Sequence, residues 1–359
     1  LLAALNEDEH SQKVEAARRL LQAYRLLGEV PQVLVPLCDL LEDAAIAEAL
    51  VREPEIIPVL RARQALAAEG EVDDRLLWTL IEAEIWLQRG EGDEVDAATR
   101  TRCAQEAAEA ALRGLSLDGQ SIWALWLLRQ ATAPGDPRGA DLGQGGSLSS
   151  EEAARFRAYG MYTLRLAALL HTAETQAELY SEAAQIFIKL GDVDLASAAL
   201  RAVLDCTPFD DAAFSQLRSL LVSRAEDPKK PDAGPLLELL NFRLALSPED
   251  EAHARAEQSL RVSLLLSRAA LLQGAGQPVE ATRDLQALLN IDPRQPTAHR
   301  RLAELRVQAG DSTAAIHHYE QFLALGGNPA DRQAVHIAVA RLLSQVDPAR
   351  TIPHVRQAI

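Results

Sequence analysis

Residues 301–325 read RLAELRVQAGDSTAAIHHYEQFLAL. Ala303 and Ala315 stand where two packed helices would need small side chains, and Gly310-Asp311 stands where the chain would have to turn. The residue past a helix C-terminus often takes φ > 0, which glycine adopts cheaply. An aspartate placed next can accept hydrogen bonds from the free N–H groups that open the following helix and favour its positive dipole end. The stretch therefore predicts two antiparallel helices joined by a tight turn.

The same pattern recurs 34 residues upstream: Gly310 falls on Gly276, Ala303 on Ala269, Ala315 on Ala281, Tyr319 on Leu285 and Phe322 on Leu288. A third copy, YSEAAQIFIKLGDVDLASAALRAVLDCTP (residues 180–208), aligns without gaps through Ala184, Gly191, Asp192, Ala196, Leu200, Val203 and Pro208. The alanines let two helix backbones approach until the larger side chains interlock. Pro208 and Pro293 stop the second helix of a pair, and Pro278 suits a first helical turn.

Taken together these residues resemble the tetratricopeptide repeat (TPR). Its unit of about 34 residues places a small residue, a Gly-Asp turn, an alanine, a large apolar residue and a proline roughly at positions 8, 15–16, 20, 24 and 32. The resemblance implies an all-α fold, a right-handed α-solenoid of stacked antiparallel helix pairs. It is clearest over residues 174–325 and fades outward. Near the N-terminus Gly28-Glu29 takes the Gly-Asp place, and Gly90 keeps a glycine ahead of an acidic loop.

The chain divides into degenerate acidic TPR-like repeats over 1–132, a flexible Gly/Pro/Ser-rich insertion over 133–150, and TPR-like repeats over 151–359. The insertion contains PGDPRGADLGQGGSLSS (134–150), and Ser149 with Glu152 predicts a capping box that opens a new helix. Nine helix pairs are expected, the last incomplete. Their helices begin near residues 10, 31, 43, 55, 72, 96, 119, 150, 174, 193, 210, 234, 249, 278, 296, 312, 329 and 348.

Composition supports a helical reading. Of 359 residues 48% are hydrophobic but only 4% aromatic, so the apolar content is helix-forming Ala and Leu with Val rather than strand-forming aromatics. Apolar runs such as WALWLL (123–128) are far shorter than the roughly 18 to 20 residues of a membrane span. Cys38, Cys103 and Cys206 are widely spaced and form no C-x-x-C, which predicts buried free thiols in a reducing compartment. A cytoplasmic location is the expectation on that ground. The 32 arginines against 4 lysines suggest a GC-rich bacterial genome.

The net charge of −16 is uneven: residues 1–120 carry −12, residues 121–290 carry −6 and residues 291–359 carry +2. An acidic chain repels phosphate backbones, so no nucleic-acid partner is expected. The mildly basic end holds five of the eight histidines.

Catalytic motifs are absent from the sequence: it contains no H-E-x-x-H, no G-x-S-x-G and no G-x-x-x-x-G-K-[ST]. Gly-rich GQGG precedes neither Lys-Ser nor Lys-Thr, and Asp73-Asp74 and Asp210-Asp211 lack the third aspartate of a D-D-x-x-D. His317 and His318 are adjacent, hence about 100° apart on a helix, and cannot chelate one metal together. The expectation is a non-enzyme with no catalytic residue, cofactor or metal. Trp123 and Trp126, three apart, could share a helix face, and an exposed aromatic pair would be a partner anchor, but at least one of them is expected in the core.

Function is then expected to be binding: a protein–protein interaction scaffold or adaptor that holds one or more partner proteins or peptides in its superhelical groove. In the family resembled, first helices of successive pairs line the concave face, which implies Arg300, Arg301, Glu304 and Gln308 as partner-binding residues. The family's clamps for a C-terminal carboxylate use Lys and Asn. The equivalent places here hold Ser181 and Gln185, Leu266 and Ala270, and Arg300 and Glu304, so a chaperone-tail adaptor is not implied. The alternative is a regulatory helical-repeat region of a larger enzyme or signalling protein, or a subunit of a larger assembly, because the chain starts at Leu1 rather than Met and stops at Ile359 inside a hairpin.

Overall fold

The computed structural model describes residues 2–67, 71–91, 95–133, 148–226, 232–246, 251–326, 328–346 and 350–358, and these hold eighteen α-helices and no strand. In chain order they are α1 (Leu2–Leu27), α2 (Pro31–Leu41), α3 (Ala44–Leu50), α4 (Ile56–Leu66), α5 (Val72–Gly90), α6 (Ala97–Leu117), α7 (Ile122–Thr132), α8 (Ser150–Leu169) and α9 (Ala173–Lys189). There follow α10 (Val193–Cys206), α11 (Asp211–Ala225), α12 (Gly234–Ala245), α13 (Glu251–Gly274), α14 (Pro278–Ile291), α15 (Pro296–Gln308), α16 (Ser312–Leu325), α17 (Pro329–Val346) and α18 (Thr351–Ala358). All but one begin within three residues of the expected starts. The exception is α1, which begins at Leu2 rather than near residue 10, because LAALNEDEH contains good helix formers and no breaker. The expected insertion falls largely on residues 134–147, outside the described residues.

The chain forms two compact units, Leu1–Leu217 and Arg218–Ile359. In the first, Leu34, Leu37, Leu41, Ile46, Leu50, Ile56, Leu60, Trp78 and Ile85 make one core. Its N-terminal part departs from a series of hairpins: α3 packs chiefly on α1 and α2, while α4 packs on α5 and α2. From α5 onward, successive helices pack on one another through α10. In the second unit α12 to α18 do the same, and Ala303, Ile316, Tyr319, Phe322, Val335, Val339 and Leu343 form a core across α15, α16 and α17.

The three aligned turns share one geometry. Gly191, Gly276 and Gly310 take φ of 70°, 73° and 80°. Each glycine N–H donates to the carbonyl three residues back, and the next N–H donates five back, to Phe187, Leu272 and Arg306 respectively. This is the Schellman termination, which satisfies carbonyls a helix end leaves free. Asp192 and Asp311 then turn round to cap the next helix, accepting from the N–H groups of Leu195 at 3.3 Å and Ala314 at 3.1 Å. In the middle copy Gln277 makes no such cap and Pro278 opens α14 instead. The six alanines of the pattern, Ala184, Ala196, Ala269, Ala281, Ala303 and Ala315, are all buried.

The outer copies deviate in physical detail. Gly28 has φ of 74°, but its N–H donates four residues back, to the Tyr24 carbonyl, while its own carbonyl accepts from the Val30 N–H. Gly90 is the last residue of α5; a Cβ there would lie 3.2 Å from Cβ of Cys103, so this glycine serves close approach of α5 and α6. The Ser149–Glu152 capping box is formed at the start of α8.

Arginines close several helix ends. Arg89 donates to the carbonyls of Val51 and Glu53, 2.6 Å each, after α3. Arg155 donates to those of Thr132 and Ala133, at 3.3 and 2.7 Å, after α7. A planar guanidinium fork can span two carbonyls where a lysine offers a single point charge.

Candidate functional site

Arg300, Arg301, Glu304 and Gln308 fall on one side of α15, at spacings of three and four residues. Arg300 is not free: it donates to Asp331 of α17 at 2.6 Å and lies 3.8 Å from Glu304. Arg301 and Glu304 are half-buried and Gln308 is exposed. Arg301 makes no ion pair among the described residues. In the first unit Gln185, at the place equivalent to Glu304, donates to Gln216 of α11 at 2.8 Å. Side chains at these places of the hairpin therefore reach from one first helix to the next.

The buried carboxylates Glu82, Glu257 and Asp284 and the half-buried Glu182 are each matched with arginine. Glu82 of α5 is fully buried and accepts from Arg61 at 2.7 Å, Arg113 at 2.9 Å and Gln64 at 3.0 Å, tying α4, α5 and α6 together. Glu182 of α9 takes Arg129 of α7 through both oxygens and the Tyr159 hydroxyl of α8. In the second unit Arg243 and Glu257 pair at 2.9 Å and Arg268 and Asp284 at 2.5 Å, both bidentate. A charge out of water is tolerated only when paired and hydrogen-bonded, so these contacts fix helix register.

One carboxylate breaks that pattern. Leu77, Ile81, Glu84, Ile85 and Gln88 of α5 line a cavity of about 330 Å³, closed by Leu41 and Glu42 at the end of α2, Ala47 of α3 and Trp123 of α7. Glu84 is half-buried, and burial pushes its carboxyl pKa up. It has no ion-pair partner among the described residues. The Oε1 atom of Gln88 is buried and accepts no hydrogen bond there. Nothing in the sequence pattern signals this cavity, because the apolar walls around Glu84 and Gln88 are drawn from helices far apart in the chain.

A second cleft, about 400 Å³, lies in the other unit between α14 and the C-terminal half of α15, lined by Val279, Arg283, Gln286, Leu305, Arg306 and Gln308 among others. Of the candidates on α15 it takes in Gln308. Trp126 is 41% exposed while Trp123 packs half-buried against the core of the first unit and against a second group formed by Leu80, Ala110 and Leu127, so the two tryptophans do not form an exposed pair. Cys38 and Cys103 are buried and Cys206 is half-exposed; all three are free. His317 is exposed and His318 half-buried. His318 instead faces His299, and His336 faces His354, a pairing across helices that sequence spacing did not reveal. Among the described residues no three metal-binding side chains cluster, and no helix is long and apolar enough to cross a membrane.

No protein-family model matches the chain, and no curated protein matches its sequence. The helical hairpins are TPR-like. Solved structures that resemble the chain include the C-terminal part of a TPR repeat-containing protein from Cytophaga hutchinsonii, 11% identical, covering 71% of this chain and 89% of that one with a TM-score of 0.40. Yeast Tom70 is 13% identical, covering 96% and 89% with a TM-score of 0.25. The P58(IPK) TPR domain is 14% identical, covering 97% and 96% with a TM-score of 0.27. The turns at Gly191, Gly276 and Gly310 and the buried alanines flanking them make these hairpins TPR-like.

Proposed function

We propose that the chain is a protein–protein interaction scaffold or adaptor, and that a partner protein or peptide lies against its first helices, with Arg300, Arg301, Glu304 and Gln308 among the contacts. The observation that carries this reading is that Gln185 and Arg300, at two different places on their first helices, each reach to the next first helix. Repeated first helices offer an extended surface on which successive side chains are presented at regular intervals. Tagged chain should retain a partner through purification, and the interaction should be rebuilt from the two purified proteins. Arg301→Glu should weaken the rebuilt complex, and added salt should weaken it further, since exposed charges are screened over about 8 Å at physiological ionic strength. Turnover of a small substrate by the purified chain, with no stable protein complex, would overturn the reading.

A further inference from the structure

The cavity walled by α2, α3, α5 and α7 presents unpaired acceptors to whatever enters it. Glu84 contributes a carboxylate and Gln88 an unsatisfied amide oxygen, with Glu42 exposed beside them. The rest of the wall is apolar, from Leu41, Leu77, Ile81 and Ile85, with the indole of Trp123 at the α7 side. An apolar sleeve suits the methylene stem of a long side chain, and aromatic faces attract cations. Two residues away on the same helix, Glu82 shows how this chain treats a carboxylate it keeps for itself, with two arginines and a glutamine on it. Glu84 receives none of these. The surrounding third of the chain carries a net −12, which draws positive partners toward it.

We propose that this cavity receives a basic side chain from a protein partner, its stem against Leu77, Ile81 and Trp123 and its charged head between Glu84 and the Gln88 amide oxygen. This rests on the scaffold reading and names the partner chemistry of one site. The head group supplies the donors that Glu84 and Gln88 lack, and the sleeve excludes water from the contact. A neutral side chain of the same shape leaves the carboxylate desolvated and unpaired, so the site discriminates by charge.

The test uses a fluorescein-labelled pentapeptide with one central arginine between two leucines, titrated with the whole chain and followed by anisotropy. Replacing that arginine by citrulline keeps the shape and removes the charge, and should weaken binding at least about tenfold, the factor one charge-assisted hydrogen bond supplies. Glu84→Gln should weaken the arginine peptide similarly and leave the citrulline peptide unaffected. The melting temperature of Glu84→Gln should match or exceed that of the parent, because the amide carries no charge to desolvate. Equal binding of the two peptides, no saturable binding of either, or a clear drop in melting temperature on Glu84→Gln would each overturn the proposal. A partner complex that is sensitive to Arg301→Glu while the peptide stays silent would sink the cavity proposal and leave the scaffold reading standing.

Discussion

Nδ1 of His299 on α15 lies 3.2 Å from Nδ1 of His318 on α16. Nε2 of His299 is 3.1 Å from the Pro293 carbonyl, which can only accept, so that nitrogen carries a proton. In the neutral ring Nδ1 of His299 is then the acceptor and His318 the donor. Burial, reinforced by His299, His317 and Arg306 and opposed by Asp311, lowers the His318 pKa from 6.5 to about 4. The folded state thus holds His318 neutral where the unfolded chain would protonate it.

A folded-state pKa lowered below the unfolded one gives stability that is present above about pH 6.5 and is lost as pH falls toward 4. Urea midpoints of the parent should decline across that window beyond what carboxylate titration gives. His318→Gln should flatten the decline while lowering the midpoint at pH 7.5. His336, also lowered by burial and by His354 and Arg332, adds to the slope in the same direction. An identical pH dependence in His318→Gln would show that the pair does not hold this proton off.

Gly310 and Gly274 separate backbone strain from helix propensity. Gly310 sits at φ of 80° with open space where a Cβ would go, whereas Gly274 ends α13 without a positive φ and also has open space. Gly310→Ala should cost about 1–2 kcal/mol, from the left-handed conformation alone. Gly274→Ala should be neutral or stabilise by up to about 1 kcal/mol, since alanine is the better helix former. Chemical denaturation of both variants decides the matter, and a like sign for the two would refute the turn assignment.

The fold was legible wherever a local rule set a boundary. Gly191 and Gly310 announce their turns because a left-handed residue has few alternatives, and Asp192, Asp311 and Ser149 announce the helix starts they cap. Gly90 likewise marks the end of α5, but its second role, letting α6 approach closely, leaves no mark in the sequence. The cavity was not legible, since Glu84 and Trp123 meet only through the packing of α5 with α7. Nor was the binding to Asp331 that occupies Arg300, which depends on how α15 and α17 are set side by side.

Ala303 is fully buried among Ile316, Tyr319, Phe322 and Val339. Ala303→Leu must push α15 from α16 or α17 and should cost about 1–3 kcal/mol, the usual range for an overpacked core. An unchanged denaturation midpoint would mean that this helix contact yields freely.

Thiol chemistry should follow burial. The Cys38 thiol is pushed up to about 12 by desolvation, outweighing the lowering by Arg63, while Cys206 is only half-buried and its pKa is raised less far. Because the thiolate is the reactive form, iodoacetamide at pH 8 should label Cys206 first and Cys38 only after denaturant is added, as peptide mass mapping would show. Early labelling of Cys38 in the native protein would contradict the burial of α2.

Arg300 and Arg301 are adjacent, but their charges should behave differently. Arg300→Glu sets a third carboxylate beside Asp331 and Glu304, with Arg300 and Asp331 each about a third exposed at 32% and 37%. Losing such a partly exposed pair costs about 0.2–1 kcal/mol, and repulsion adds to it. The reciprocal change Asp331→Arg in the same molecule should restore most of the loss, because it rebuilds the pair with its poles exchanged. Arg301→Glu breaks no ion pair among the described residues and should leave the melting temperature unchanged. It is therefore the cleaner probe of surface function: if Arg301 contacts a partner, Arg301→Glu weakens the complex at constant stability. The rescued Arg300→Glu/Asp331→Arg protein should bind as the parent does if Arg300 acts only between helices. If that swapped protein folds normally yet fails to bind, the Arg300 charge itself faces the partner.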